Sequence, residues 1–548
     1  MQGKIEKNFW LKCFGIAYTI SLIVFSFYTV TFFFGNHDFY LMKFGTSVSQ
    51  GVIEGRLTQF LLQYILFDNN IIPILNITVG LIFFVVATFM LAKILNIPEN
   101  KFSIVSFSLL ITINPYTLSQ LYYVHTAVSI LFWHLLVIAG FYLYTSNKQL
   151  VNSNSYYYVY TLLLWLIAIC GYAPSIQMIL TLLLLIAIND VIAGEKYLDV
   201  IKKYSLSIIL FIVSIACYII IVKFMQKIDI ISHMYNTQHL PLNKIFFKLI
   251  KFWYKPFTIL TSPIPYCYQI INYLIILAFI LSVIICIKKA GFLIVIPIIA
   301  LFYAMISLAF VSTINIFEIF RINMFSVPYV IAFFFFIPSK FGNRALKNIT
   351  YITTIVTILG FSLACFEGQK IWHLGNIQDE KAMERVRQDL FKQIDRKNSY
   401  RLFIIGNLYG RAKFANKTIY NKLYKEKYRE FFTYEYFLSH LFSSGLFFTE
   451  NFNPVYADVF YSRDGMQPIL KNKVAFLTSN EYMDQKDKER YWFIANYNRS
   501  YKSNVYNSLL LRKKEKIFIY GNDIIIYLSA DKVIESSILS FLSKNDKN

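Results

Sequence analysis

Over residues 1–366 the hydrophobic positions fall in long, nearly unbroken runs separated by short polar connections. Eleven windows read as membrane spans, at 13–34, 71–93, 102–120, 125–145, 156–172, 174–193, 204–226, 270–287, 291–313, 322–339 and 349–366. A run of roughly 17 to 25 such residues is enough to cross a hydrocarbon core of about 30 Å. Asn114-Pro115 interrupts the third window. Such a break is harmless in the headgroup zone, or it lines a cavity. After Cys365 the pattern changes. Asp379–Arg396 has apolar positions at helical spacing, and the runs at 401–407, 475–480 and 516–529 read as strands, the last as a strand-turn-strand. The expectation is a polytopic α-helical core of about 11 transmembrane helices over 1–366. A folded α/β domain follows over 367–548.

Composition agrees with the membrane reading: 57% of the residues are hydrophobic and 15% charged, against about 25% charged in soluble domains. The net charge of +22 raises the question of nucleic acid. The lysines are scattered through short loops and the tail, however, without an interleaved aromatic-basic motif, so no nucleic-acid partner is expected. The six cysteines, Cys13, Cys170, Cys217, Cys267, Cys286 and Cys365, lack metal-site spacing and read as apolar filler. The first apolar run is long and has no small-residue cleavage site, so it is expected to stay as a signal anchor.

Orientation follows from basic residues in the short connections. One set carries Lys4, Lys7, Lys12, Lys93, Lys101, Lys148, Lys196, Lys202, Lys203, Lys288, Lys289, Lys340, Arg344 and Lys347; the other carries Lys43, Arg56 and Arg321. Fourteen against three puts the first set, with the N-terminus, in the cytoplasm. The segment Asn36-His37-Asp38, the turn GYAPSIQ (171–177), residues 227–269 and the tail then face outward, on the extracytoplasmic side.

Candidate chemistry gathers on that outer side. A carboxylate at the mouth of a span is costly unless it meets water or a polar cavity, so Asp38 ranks first. Residues 47–67 are apolar but carry Glu54 and Arg56, and read as a surface or partly re-entrant helix. Glu54 and Arg56 either pair with each other or help bind an anionic, lipid-bearing ligand. Lys244, Lys248, Lys251 and Lys255 repeat at helical spacing beside Phe246, Phe247, Leu249 and Phe252. That pattern suits an interfacial amphipathic helix, whose lysines either anchor it to membrane lipids or meet phosphate. Tyr122, Tyr123, Tyr172 and Gln177 belong to an interfacial belt that offers stacking and hydrogen bonds to sugar. Glu318 and Arg321 read first as a helix-face pair. His37 beside Asp38 leaves a divalent cation open, although a metal-free site without a cofactor is expected.

A single outer carboxylate fits a general base in inverting sugar transfer. A glycosidase normally needs a second carboxyl group as acid. A phosphate leaving group needs less help, and an arginine fork stabilises its charge. GNLYG (406–410) has no phosphate-loop spacing.

The early outer-loop carboxylate, Gly55-Arg56, GYAPSIQ, CFEGQ (365–369) and Asp379 together resemble the bacterial GtrII-type glucosyltransferases of the GT-C membrane class. The resemblance implies an O-antigen-modifying enzyme that takes glucose from undecaprenyl-phosphate-glucose. It would place the sugar on a lipid-linked or surface polysaccharide, in functional coupling with a donor synthase and a flippase. It also implies Asp38 as the GT-C first-loop acid and Arg56 as its companion. Relatives often pair two acids where this chain has His37-Asp38. Transferases acting on lipid A, teichoic acid or protein share this architecture. A lipid-linked-sugar flippase would instead place charges or broken helices near the midplane in repeated halves.

Overall fold

The computed structural model describes residues 2–30, 56–59, 61–68, 70, 72–121, 124–149, 155–228, 264, 267–312, 325–393, 400–405, 474–477, 516–520 and 523–527. The chain divides into two units, Met1–Lys370 and Ile371–Asn548.

The first unit is helical among its described residues. In chain order the helices are α1 (Gln2–Val24), α2 (Ser26–Val30), α3 (Leu61–Phe67), α4 (Pro73–Ile94), α5 (Lys101–Thr112), α6 (Pro115–Leu121) and α7 (Val124–Gln149). They continue with α8 (Ser155–Gly171), α9 (Ser175–Ile192), α10 (Tyr197–Lys227), α11 (Gln269–Ala290), α12 (Val295–Ser312), α13 (Val327–Phe341) and α14 (Arg344–Gln393). The division between the units falls within α14.

Among the described residues six stretches are long and apolar enough to cross a membrane: Pro73–Ile94, Thr126–Ser146, Ser175–Ile192, Tyr197–Lys227, Gln269–Ala290 and Arg344–Lys370. Shorter apolar helices occupy Asn8–Val24, Lys101–Thr112, Tyr156–Gly171, Phe292–Met305 and Val327–Phe341. The chain is a polytopic helical membrane protein. Its helices are apolar on nearly all sides, and burial sorts them into layers. Every residue of Val327–Ser339 in α13 is buried, and α9 is mostly buried. In contrast α10 exposes Leu198, Ile201, Ile209, Ile212, Ile220 and Phe224, as expected of a helix at the lipid edge.

The interruption at Asn114-Pro115 splits one predicted span into α5 and α6. Proline cannot donate into the helix and crowds the preceding turn, so the freed groups need other partners. Asn114 supplies them: its Nδ2 donates to Leu110 O at 3.2 Å and its Oδ1 accepts from Tyr116 N at 3.1 Å. Thr117 Oγ1 adds a bond to Ile111 O at 2.9 Å.

The second unit contains a four-stranded sheet among its described residues: β1 (Tyr400–Ile405), β2 (Val474–Leu477), β3 (Lys516–Tyr520) and β4 (Asp523–Tyr527), in the order β2-β1-β4-β3. Strand β1 runs parallel to both neighbours, pairing Leu402 with Phe476 and Phe403 with Ile525. Strands β3 and β4 are antiparallel, with Phe518 opposite Ile525.

Candidate functional site

Helix α8 ends at Gly171, and the chain turns through Tyr172 to Pro174 into α9. Tyr172 N donates to Ala168 O at 2.9 Å, and Ser175 Oγ caps the same carbonyl at 3.1 Å. The Trp133 indole of α7 lies flat against Tyr172, with centroids 5.6 Å apart and planes 18° from parallel. Gly171 makes this possible: a Cβ there would come within 2.3 Å of Trp133 Nε1 and Cε2. The arrangement recurs toward the other end of the same pair, where a Cβ on Gly140 would stand 2.4 Å from Trp165 Nε1. That nitrogen donates to Val137 O at 3.1 Å. Two reciprocal glycine–tryptophan contacts therefore fix the register of α7 against α8.

Trp133 is nine residues along α7 from Val124, so at 1.5 Å per residue the turn is recessed by about 14 Å below that helix end. Residues Arg56–Gln59 reach into the same recess. Thr58 N donates to Cys170 O at 3.3 Å and Thr58 Oγ1 to Ile167 O at 3.0 Å. The Arg56 guanidinium lies 5.9 Å from the Tyr172 ring centroid, and its Nη1 donates to Gln59 Oε1 at 3.3 Å. An aromatic face attracts a guanidinium at this range.

Behind Tyr172 is a buried polar chain. His134 Nε2 is 3.1 Å from Gln120 Oε1 on α6, and His134 Nδ1 is 2.6 Å from Tyr329 Oη on α13. An amide oxygen only accepts, so Nε2 carries the hydrogen, and in the neutral tautomer that this defines Nδ1 accepts from the Tyr329 hydroxyl. Phe325 joins this chain to the turn, its ring stacking on His134 at 4.0 Å and approaching Tyr172 at 5.6 Å.

Of the residues expected from the sequence, Arg56 and Tyr172 are brought together. Gln177 is buried on the first turn of α9. His37, Asp38, Glu54, Tyr122, Tyr123, Lys244, Lys248, Glu318 and Arg321 lie outside the described residues. The CFEGQ segment lies in α14. There Gln369 Nε2 donates to Val24 O at 2.8 Å, and Cys365 Sγ contacts Ile113 O at 3.2 Å. It thus ties the end of α1 and the helix break to α14. An apolar cleft among α11, α12 and α13, lined in part by Ile275, Phe279, Phe302 and Val327, holds none of the expected residues.

The sequence reading missed Trp133, His134, Phe325 and Tyr329. His134 carried a usable signal, since an ionisable residue inside an apolar run is a functional candidate by default. A second buried polar group, Asp190, lies toward the other end of α9. Its Oδ2 accepts from Lys203 Nζ and Tyr204 Oη, both at 2.7 Å. Lys203 also reaches Glu195 at 2.7 Å, and Lys340 Nζ donates to Asn189 Oδ1 at 3.0 Å and Leu95 O at 2.8 Å.

No curated protein and no solved structure matches the chain. The family model described as glucosyl transferase GtrII matches residues 27–339, more than half of the 548 residues. That range contains the docked Arg56 segment, the recessed turn and the chain through His134. The protein belongs to the GtrII glucosyltransferase family.

Proposed function

We propose that this glucosyltransferase-family protein works on the extracytoplasmic side of the bacterial inner membrane. In this reading it takes glucose from undecaprenyl-phosphate-glucose and inverts the anomeric centre. The acceptor is a lipid-linked or surface polysaccharide such as O-antigen. The acceptor hydroxyl oxygen attacks the anomeric carbon and its proton passes to the Asp38 carboxylate. The new C–O bond forms as the bond from that carbon to the phosphate oxygen breaks, and the carrier phosphate leaves with the electron pair. Arg56 steadies the charge developing on that phosphate.

The observation that supports this most is Arg56 held against Tyr172 in a recess, eighteen residues after Asp38. A guanidinium propped on an aromatic ring at a membrane recess suits a phosphodiester whose lipid tail stays in the bilayer. The strands after residue 400 fit an extracytoplasmic domain that handles the acceptor.

The test offers purified protein in nanodiscs a panel of polyprenyl-phosphate sugars with isolated surface glycans. Native protein should transfer glucose. D38N should keep donor binding and lose turnover by about 100-fold or more, in keeping with general-base catalysis. R56A should weaken both. Near-native turnover by D38N would remove Asp38 from the base role. Movement of the carrier between leaflets without any sugar transfer would replace the enzyme with a flippase.

A further inference from the structure

We infer that Gln120 and Ser326 form the wall that reads hydroxyls of the transferred sugar, with His134 and Tyr329 as the residues that position it. The inference rests on the glucosyl-transfer reading above. Both groups are buried, Gln120 at 7% exposure and Ser326 at 0%. Neither Gln120 Nε2 nor Ser326 Oγ has a hydrogen-bond partner among the described residues. Folded proteins pair nearly all such atoms, and each exception calls for an explanation.

Two of these exceptions are linked through His134 and Phe325. Gln120 turns its oxygen to His134, which leaves the amide NH₂ directed elsewhere. Ser326 occupies the N-cap of α13, where a serine side chain ordinarily accepts from the first turn; this one makes no capping bond. Its chain neighbour Phe325 is the ring stacked on His134. Gln120 is thus bonded to one member of the His134–Phe325 ring pair and Ser326 follows the other in the chain, and the pair is one contact from Tyr172 and two from Arg56.

The chemistry of the pair selects the ligand. An amide NH₂ donates and a serine hydroxyl both donates and accepts, which matches the mixed donor and acceptor character of sugar hydroxyls. Neither is charged, so neither competes with Arg56 for phosphate. A site built to hydrogen-bond a hydroxyl also rejects an analogue lacking it strongly, because its own buried groups are then left unpaired. The His134 chain stiffens the wall: its two bonds fix the Gln120 amide between α6, α7 and α13.

The experiment uses full-length protein in nanodiscs with polyprenyl phosphate linked to glucose, galactose or mannose, and with bare polyprenyl phosphate. Q120L and S326A are compared with native protein by kcat/KM for each sugar and by thermal unfolding. Each variant should lower kcat/KM for the preferred sugar by roughly tenfold or more and compress its preference over the other two. Each should also lose the extra thermal shift that the glycosylated carrier gives over the bare carrier. The shift with bare carrier should stay. S326A removes one oxygen only, so it keeps the test open should Q120L fold poorly. Native transfer with unchanged sugar preference in the folded variants would overturn this inference alone. A native protein that neither transfers nor responds to any glycosylated carrier would sink the functional reading, and this inference with it.

Discussion

Gly171→Ala is the smallest change that should disturb the site without touching a polar group. The added Cβ would stand 2.3 Å from Trp133 Nε1 and Cε2 and 2.7 Å from Cζ2. Carbon atoms in contact prefer about 3.5–4.0 Å, so the indole must shift by roughly 1 Å or more. Trp133 is 1% exposed and the rings around it are packed, which leaves the shift no free volume. Overpacking of this kind costs about 1–3 kcal/mol. Gly15 is the control, since nothing lies within 4 Å of its added Cβ. There, in mid-helix α1, alanine should be neutral or should stabilise by about 0.5–1 kcal/mol. Thermal unfolding in detergent or nanodiscs should place G171A below native and G15A at or above it. Removing the obstacle provides the sharper check: in a W133L background, G171A should cost much less than in native protein, and the cycle isolates the contact. Equal costs in both backgrounds would mean that the packing argument is wrong. Because Tyr172 lies on Trp133 and Arg56 on Tyr172, G171A should also reduce glucosyl transfer in molecules that remain folded.

At the other end of α9, D190A should destabilise by about 1–3 kcal/mol because two donors lose a buried acceptor. E195Q, whose side chain is 41% exposed, should cost less than about 1 kcal/mol; a larger loss for E195Q than for D190A in denaturation would reverse this ranking. Replacing His134 by Leu strands the Tyr329 hydroxyl and the Gln120 amide, with an expected loss of about 1–3 kcal/mol. Adding Y329F should recover part of that loss, and an additive double mutant would argue against the chain.

Much of the helical core was legible because lipid leaves little choice: a long apolar run must satisfy its backbone internally and becomes a helix. Each predicted span overlaps a described apolar helix, the one at 102–120 being split in two, and among the described residues six stretches are long and apolar enough to cross a membrane. The break at Asn114-Pro115 was visible from proline chemistry. That its second half delivers Gln120 to His134 was not, because the partner is fourteen residues away on another helix. The strands fall on the apolar runs at 401–407, 475–480 and 516–529. Their order β2-β1-β4-β3 depends on long-range pairing that local pattern does not encode. In the site, Arg56 and Tyr172 stood out as polar residues at span ends. Trp133 and Phe325 did not, since an aromatic residue inside an apolar run looks like filler until a glycine on the neighbouring helix makes room for it.

His134 and Asp190 show how two polar groups in apolar helices can be told apart. Both satisfy the same sequence rule, that an ionisable residue in a span is a candidate for function. Their partners separate them. Asp190 meets Lys203 and Tyr204 at 2.7 Å, opposite charge and donor at ideal range, and the network joins α9, α10 and α13 through Lys340 and Asn189. Its demands are met from within the protein, which is what a structural clasp requires. His134 is likewise satisfied at both nitrogens, but the chain that satisfies it ends in an amide nitrogen with no described partner. A polar network that closes on itself holds helices together. One that ends in an unmet donor, and is joined through Phe325 and Tyr172 to an arginine, suits a ligand that arrives from outside.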